Sequence, residues 1–149
     1  MNDSNVVIRF AKEDDLSAIA EIEKECFSSP WSLNALKDFF VCDYSRIVVA
    51  LCDDEIAGYV TFSVICDEVQ ISNVAVSKRF RRLHIGTLII DKLIMTGREI
   101  NCAVAFLEVR KSNLPAIELY KKCGFFVVGE RKNFYSSPTE NAILMNYTF

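Results

Sequence analysis

The sequence predicts one α/β domain over residues 1–149, built on a mixed, mostly antiparallel sheet with helices on both faces. Three observations carry that expectation. The chain has 149 residues, the usual length of one domain, and 51% of them are hydrophobic. Apolar positions switch repeatedly between a period of two and a period of three to four. Closely spaced strand-like runs in the first half give way to strand–helix–strand spacing in the second.

Taken in order, Val6 to Phe10 reads as a short strand. Asp14 is placed to cap a helix whose apolar positions Leu16, Ile19, Ile22 and Cys26 recur every three or four residues. Pro30 interrupts it, and Ser32 caps a second short helix lined by Leu33, Leu36 and Phe40. Strands follow over Arg46 to Cys52, Ile56 to Cys66 and Val69 to Val76, the first two joined by a polar turn at Asp53-Asp54-Glu55. Such short connections imply antiparallel pairing. Gly86 opens a long helix carrying Leu88, Ile89, Leu93 and Ile94, with Gly97 near its end. Cys102 to Val109 is nearly continuously apolar, the pattern of a strand covered on both faces. A helix from about Leu114 to Cys123 has Pro115 in its first turn and Gly124 at its stop. Phe125 to Glu130 and Ala142 to Tyr147 form a last pair of strands around a loop holding Ser136-Ser137-Pro138. No repeat, low-complexity tract or linker divides the chain.

Composition removes several functions. The longest apolar runs, Ile47 to Cys52 and Cys102 to Leu107, have six residues, against the ~20 of a membrane helix. Met1-Asn2-Asp3-Ser4-Asn5 lacks the basic start and apolar stretch of a leader. Cys26, Cys42, Cys52, Cys66, Cys102 and Cys123 lie mostly in apolar stretches with no C-x-x-C pair, which reads as reduced core cysteines of a cytoplasmic protein. With one His, a zinc site has almost no ligands, and no metal is expected. A net charge of −3 disfavours direct nucleic-acid binding and suits a basic polypeptide partner. The oligomeric state stays open.

The segment Val74-Ala75-Val76-Ser77-Lys78-Arg79-Phe80-Arg81-Arg82-Leu83-His84-Ile85-Gly86-Thr87 is the most informative. A strand ends, four cations follow within five residues, and a helix begins at a glycine. Helix starts present unpaired N–H groups and a partial positive charge, so they attract anions, phosphates above all. A solvated basic loop is the plainer alternative. No Gly-Lys-Ser/Thr follows, so a Walker loop is excluded, and no Gly-x-Gly-x-x-Gly is present.

Arg81-Arg82-Leu83-His84-Ile85-Gly86 resembles the acetyl-CoA signature of the GNAT N-acetyltransferases, Gln/Arg-x-x-Gly-x-Gly/Ala, with His84 at the first glycine position. His is among the residues enriched at positive φ, and the contacts implied there come from backbone N–H groups. Ser29-Pro30-Trp31-Ser32, Asn73-Val74-Ala75-Val76, Leu107-Glu108-Val109-Arg110-Lys111-Ser112-Asn113, Ala116-Ile117-Glu118-Leu119-Tyr120, Gly124-Phe125 and Arg131-Lys132-Asn133-Phe134-Tyr135 stand in register with one subgroup. Together they resemble the ribosomal-protein-alanine N-acetyltransferases, the RimI type, over almost the whole chain.

That resemblance implies a sheet splayed near its middle and acetyl-CoA as acetyl donor. The pantetheine arm would lie along Val74, Ala75 and Val76, and the pyrophosphate on the N–H groups of Arg82, Leu83, His84, Ile85, Gly86 and Thr87, with Arg81 and Asn113 also contributing. It implies Glu108 as general base and Tyr120 as general acid toward the departing thiolate. Read without it, Glu108 is a carboxylate in an apolar strand, open to a salt bridge with Arg110 on the same face or to a base role with a pKa raised by burial. Tyr120 sits at helical spacing from Ala116 and Cys123, which also suits a core aromatic. Asn113 precedes the helix as an N-cap. Trp31 and Tyr135 fall where the family's peptide groove would be. The substrate implied is the N-terminal alanine of a small-subunit ribosomal protein, attacked directly without an acyl-enzyme. Acetylation of a small amine or a lysine side chain, a non-catalytic acyl-CoA sensor, and a module binding acidic or nucleic-acid ligands through Lys78 to Arg82, which the acidic total disfavours, stay open as alternatives.

Overall fold

A computed structural model describes residues 5–149. Met1 to Ser4, part of the stretch read above for a leader, lie outside the described residues. The elements run β1 (Val6–Phe10), α1 (Leu16–Cys26), α2 (Leu33–Phe40), β2 (Ser45–Cys52), β3 (Glu55–Ile65), β4 (Glu68–Val76), α3 (Ile85–Glu99), β5 (Val104–Arg110), α4 (Leu114–Lys122), β6 (Phe126–Tyr135) and β7 (Glu140–Thr148). The seven strands form one open sheet in the order β1-β2-β3-β4-β5-β7-β6. Every neighbouring pair is antiparallel except β4 and β5. The predicted α/β fold with its mixed sheet and two-sided helices is the one observed.

Local chemistry explains most boundaries. Asp53 and Asp54 both adopt left-handed φ, 51° and 69°, as a tight hairpin between β2 and β3 requires. Ser32 caps α2 by accepting the Ala35 N–H at 3.1 Å, and Asn113 caps α4 by accepting the Ala116 N–H at 3.3 Å. Gly124 turns the chain out of α4 at φ 103°.

Four expectations need correction. Asp14 does not cap α1. A short 3-10 turn, Glu13–Asp15, precedes that helix, and Asp15 is turned back to accept the Lys12 N–H at 2.7 Å and Arg9 Nη1 at 2.7 Å. β5 is not apolar on both sides: Ala105, Leu107 and Val109 are buried while Phe106, Glu108 and Arg110 are half-buried. β6 runs to Tyr135 rather than Glu130, because it is the sheet's edge strand and mostly exposed on both faces, so Arg131, Lys132 and Asn133 cost nothing there. The cysteines are not uniformly core residues: Cys52 and Cys102 are buried, Cys66 is exposed, and the rest are intermediate.

Alternation of side chains splits the core into two layers. On one face Val48, Val60, Phe62 and Met145 pack under Ile89 and Leu93 of α3 and Ile117 of α4. On the other, Ile47, Val49, Tyr59 and Ala75 pack under Leu16, Ile19 and Ile22 of α1 and Leu36 of α2.

The sheet opens in the middle. β4 and β5 pair only at Glu68↔Val104, Val69↔Ala105 and Gln70↔Phe106. Just beyond, Thr61 faces Asn73 while Phe62 faces Ile71, so Ser72 is an extra residue and β4 bulges. The bulge bends β4 away from β5, and the last residues of the two strands diverge into a V.

Candidate active site

A cleft of about 1060 Å³ fills the V on the α3/α4 side. Val74, Ala75 and Val76 form one wall, beyond the last pair with β5, so their β5-side edge has no strand partner. The opposite wall is α4, through Asn113, Ala116, Leu119 and Tyr120. The start of α3 closes one end with Ile85, Gly86 and Thr87, whose N–H groups precede the first full helical turn. His84 is the N-cap at φ 58°, ψ 21°, the left-handed geometry a glycine would adopt in its place. An αL residue followed by a helical one turns successive N–H groups to one side, as anion-binding backbone nests do. Gly86 matters for another reason: a Cβ there would stand 3.0 Å from Leu119 Cδ2, so its absence lets α3 approach α4.

Four exposed cations, Arg81, Arg82, Lys121 and Lys122, flank this cleft. Arg81 donates from Nε to the Val76 carbonyl at 3.3 Å. Arg79, counted above with the basic turn, points elsewhere: it pairs with Glu55 at 2.6 Å and stacks on Phe80. Leu83 is 41% exposed and does not line the cleft. Cys26 and Phe27, from the end of α1, do line it. Burial pushes the Cys26 thiol above its ordinary value, so it is a poor nucleophile.

Tyr120 lines the cleft from α4. It is 6% exposed, its ring packs on Phe125 at 5.9 Å, and its hydroxyl makes no hydrogen bond among the described residues. Burial, and then Tyr135 and Cys123, hold its phenol well above the usual value, so it remains a proton donor.

Glu108 does not line this cleft. It stands on the other face of β5, the α1/α2 side, paired in register with Leu144 of β7. The salt bridge to Arg110 is absent. Arg110 instead pairs with Glu140 at 3.1 Å, donates to the carbonyls of Pro138 and Ser136, and stacks over Tyr135 at 4.6 Å. Burial, and then the neighbouring Glu108 carboxylate, push the Tyr135 phenol up to about 12. Tyr135 in turn adds to the upward shift of the Tyr120 phenol. Trp31 sits on the same side as Glu108, in the α1–α2 connection, with its ring 5.3 Å from Phe39.

Sequence reasoning missed Glu23. Its carboxylate is fully buried and accepts from Tyr59, Asn73 and the Trp31 N–H. A signal was present: Glu23 lies four residues after Ile19 on the buried stripe of α1, where a carboxylate needs a partner. A second hollow of about 270 Å³, lined by Phe10, Phe40, Ser45 and Arg46 among others, contains none of the predicted site residues. Among the described residues there is no group of three or more His, Cys, Asp or Glu able to hold a metal, and no helix is long and apolar enough to cross a membrane.

Comparison with known proteins matches this geometry. Residues 16–125 fit the family model for the acetyltransferase (GNAT) family. The chain is 33% identical over 134 residues to the ribosomal protein bS18-alanine N-acetyltransferase of Haemophilus influenzae, covering 88% of this chain and 90% of that one. It is also 33% identical over 135 residues to the enzyme of the same name from Salmonella typhimurium, covering 88% and 89%. The crystal structure of the ribosomal-protein-S18-alanine N-acetyltransferase from Escherichia coli superposes with a TM-score of 0.89 at 27% identity, over 97% of this chain and 94% of that one. A chain with the splayed sheet, the basic turn into α3 and this matched span belongs to the acetyltransferase (GNAT) family, and within it resembles the ribosomal-protein-alanine N-acetyltransferases.

Proposed function

We propose that the protein transfers acetyl from acetyl-CoA to the N-terminal α-amine of a protein, with the N-terminal alanine of a basic ribosomal protein as substrate, in the cytoplasm. One observation carries the reading. β4 and β5 part beyond Gln70↔Phe106, and the gap carries a cationic cleft lined by Tyr120, while Glu108 stands half-buried on the other face of β5.

The cleft suits an elongated polyanion with an apolar, amide-bearing arm. Arg82, His84, Ile85, Gly86 and Thr87 hold the phosphates, with Arg81, Lys121 and Lys122 adding charge. The unpaired edge of Val74-Ala75-Val76 pairs with the amides of the arm, and Asn113 contributes from the start of α4. Acetyl-CoA supplies an activated acyl group as a thioester. The chain's own work is proton handling and alignment. Glu108 takes a proton from the arriving ammonium, directly or through water, so that the neutral amine attacks. Tyr120 donates its phenolic proton to the departing sulfur, which its buried, un-ionised state permits. Trp31 and Tyr135 border the peptide's path. No acyl-enzyme is required.

An α-amine suits this site better than a lysine. With a pKa of ~8, about a tenth of an α-amine is neutral at pH 7, whereas lysine at ~10.4 demands ~3 kcal/mol more deprotonation work. Glu108, half-buried and without a second carboxylate assigned beside it, matches the smaller task. The test offers acetyl-CoA with an Ala-starting basic peptide, and in parallel the same peptide N-terminally blocked but containing lysine, read by mass spectrometry. The unblocked peptide is expected to be modified at its α-amine, less well as salt rises. Equal or faster modification of the blocked peptide overturns the substrate assignment.

A further inference from the structure

Glu23 is the one charged side chain among the described residues that is buried, at 0% exposure. It lies in the C-terminal half of α1, the end at which the helix dipole disfavours an anion. No cation pairs with it among the described residues. Three neutral donors hold it instead. The Tyr59 hydroxyl of β3 donates to Oε2, Asn73 Nδ2 of β4 donates to Oε2 at 2.9 Å, and the Trp31 N–H of the α1–α2 connection donates to Oε1 at 2.8 Å. Burial and the Glu23 charge keep the Tyr59 phenol protonated, so it remains a donor. A buried anion without a counterion is costly, and an apolar side chain of similar volume would commonly be as stable. Stability alone therefore does not account for it.

The three donors share a location. Asn73 precedes the cofactor wall at Val74, directly after the bulged Ser72, and its own N–H is held by Thr61 Oγ1 at 3.0 Å. The last β4–β5 pair is Gln70↔Phe106. Two steps along β5, and two along β4 once the extra Ser72 is skipped, bring Asn73 level with Glu108. Both side chains stand on the α1/α2 face. Glu23 thus ties the β4 side of the V, level with Glu108, to the Trp31 connection.

We propose that Glu23 is a positioning residue for acetyl transfer: its carboxylate fixes Asn73 and the Trp31 connection as the rigid wall opposite Glu108 against which the incoming amine is aligned. This rests on the substrate side assigned above. Glutamine at position 23 keeps the shape but turns an NH2 toward donors, leaving at least one of them unpaired.

The experiment uses the full chain carrying Glu23→Gln, with acetyl-CoA and the Ala-starting basic peptide. KM for the peptide is expected to rise at least tenfold while the Kd for acetyl-CoA stays within twofold. Trp31 is the single tryptophan, so its emission should shift to the red as the connection loosens. Asn73→Ala, which leaves Trp31 bonded to Glu23, should raise the peptide KM without moving the emission. A folded Glu23→Gln protein with unchanged peptide KM, or with its loss confined to acetyl-CoA affinity, overturns the proposal. If Glu23→Gln does not fold, Asn73→Ala decides, and an unchanged peptide KM overturns it. Should the wild-type protein modify no peptide α-amine, the substrate assignment fails separately, and an unmoved Trp31 emission in Glu23→Gln then overturns the positioning role as well.

Discussion

Under α3 and α4 the sheet buries Val48, Val60, Phe62, Leu107 and Met145, all apolar. Under α1 and α2 it buries Glu23 with Tyr59, and the alternation of β2 and β3 places Ser45, Thr61 and Ser63 on that same face. Ser45 Oγ has no hydrogen-bond partner among the described residues. The contrast suits the roles proposed for the two faces. Close packing is strong and non-directional, which suffices for a wall presenting backbone edges and helix N–H groups to a ligand. Hydrogen bonds are weaker on balance but directional, and a polar layer can set the angle of a side chain or a loop. The α3/α4 side is held by fit and the α1/α2 side by aim.

Variants can break that contrast. The largest effect is expected at Glu108, where Glu108→Gln should lower turnover ~10²–10⁴-fold, with acetyl-CoA affinity nearly unchanged. The loss should shrink as pH rises and more amine arrives neutral. A variant with normal turnover at pH 7 would remove the base role. Tyr120→Phe tests the packed side of the V: turnover with a thioester donor is expected to fall while the melting temperature holds, and unchanged turnover would show that its hydroxyl is idle.

Ligand binding sharpens the other half. At a hundred times its Kd, acetyl-CoA should stabilise the fold by ~2.7 kcal/mol, and CoA should stabilise it too because the phosphates make most of the contacts. No thermal shift with either ligand would separate this chain from the cofactor chemistry of its family.

Gly58→Ala probes fit directly. The new Cβ would lie 2.8 Å from the Ala75 carbonyl oxygen and 3.1 Å from Ile89 Cδ1, so β3 and β4 must separate. A loss of ~1–3 kcal/mol is expected in denaturant unfolding, together with weaker acetyl-CoA binding as Ala75 shifts. Unaltered stability would mean that the packed face yields more readily than its density implies.

The smallest effect concerns pH. Tyr135 titrates at about 12 in the fold, held up by burial and then by Glu108, against ~10 for a free phenol. A raised folded value contributes stability that is fully present below pH ~10 and is lost as pH rises toward 12. Tyr135→Phe should therefore flatten the alkaline part of the stability curve slightly, and an identical curve would place Tyr135 outside the Glu108 field.

Much of this was legible beforehand where the cause is local. Ser32, Asn113, Gly124 and the Asp53-Asp54 turn act through their own backbone, and each does in the fold what its residue type dictates. The basic turn into α3 was legible for the same reason: a helix start and its flanking cations are neighbours in sequence. Asp14 failed as a cap because Arg9, on β1, draws the adjacent carboxylate of Asp15 into a bidentate pair. β6 ran past its expected end because an edge strand exposed on both faces has no alternation to read.

The sequence by itself determined the element order and the sheet class, because period, capping and backbone freedom operate within a few residues. Only the tertiary structure decided which charge meets which. Arg110 pairs with Glu140, 30 residues away, because the β5–β7 register sets it opposite Ala142, two residues from Glu140 on the same face. Glu23 found Asn73, 50 residues away, because the bulge at Ser72 turns that side chain toward α1. Coulomb and hydrogen-bond partners are chosen by distance in space, and strand register sets that distance.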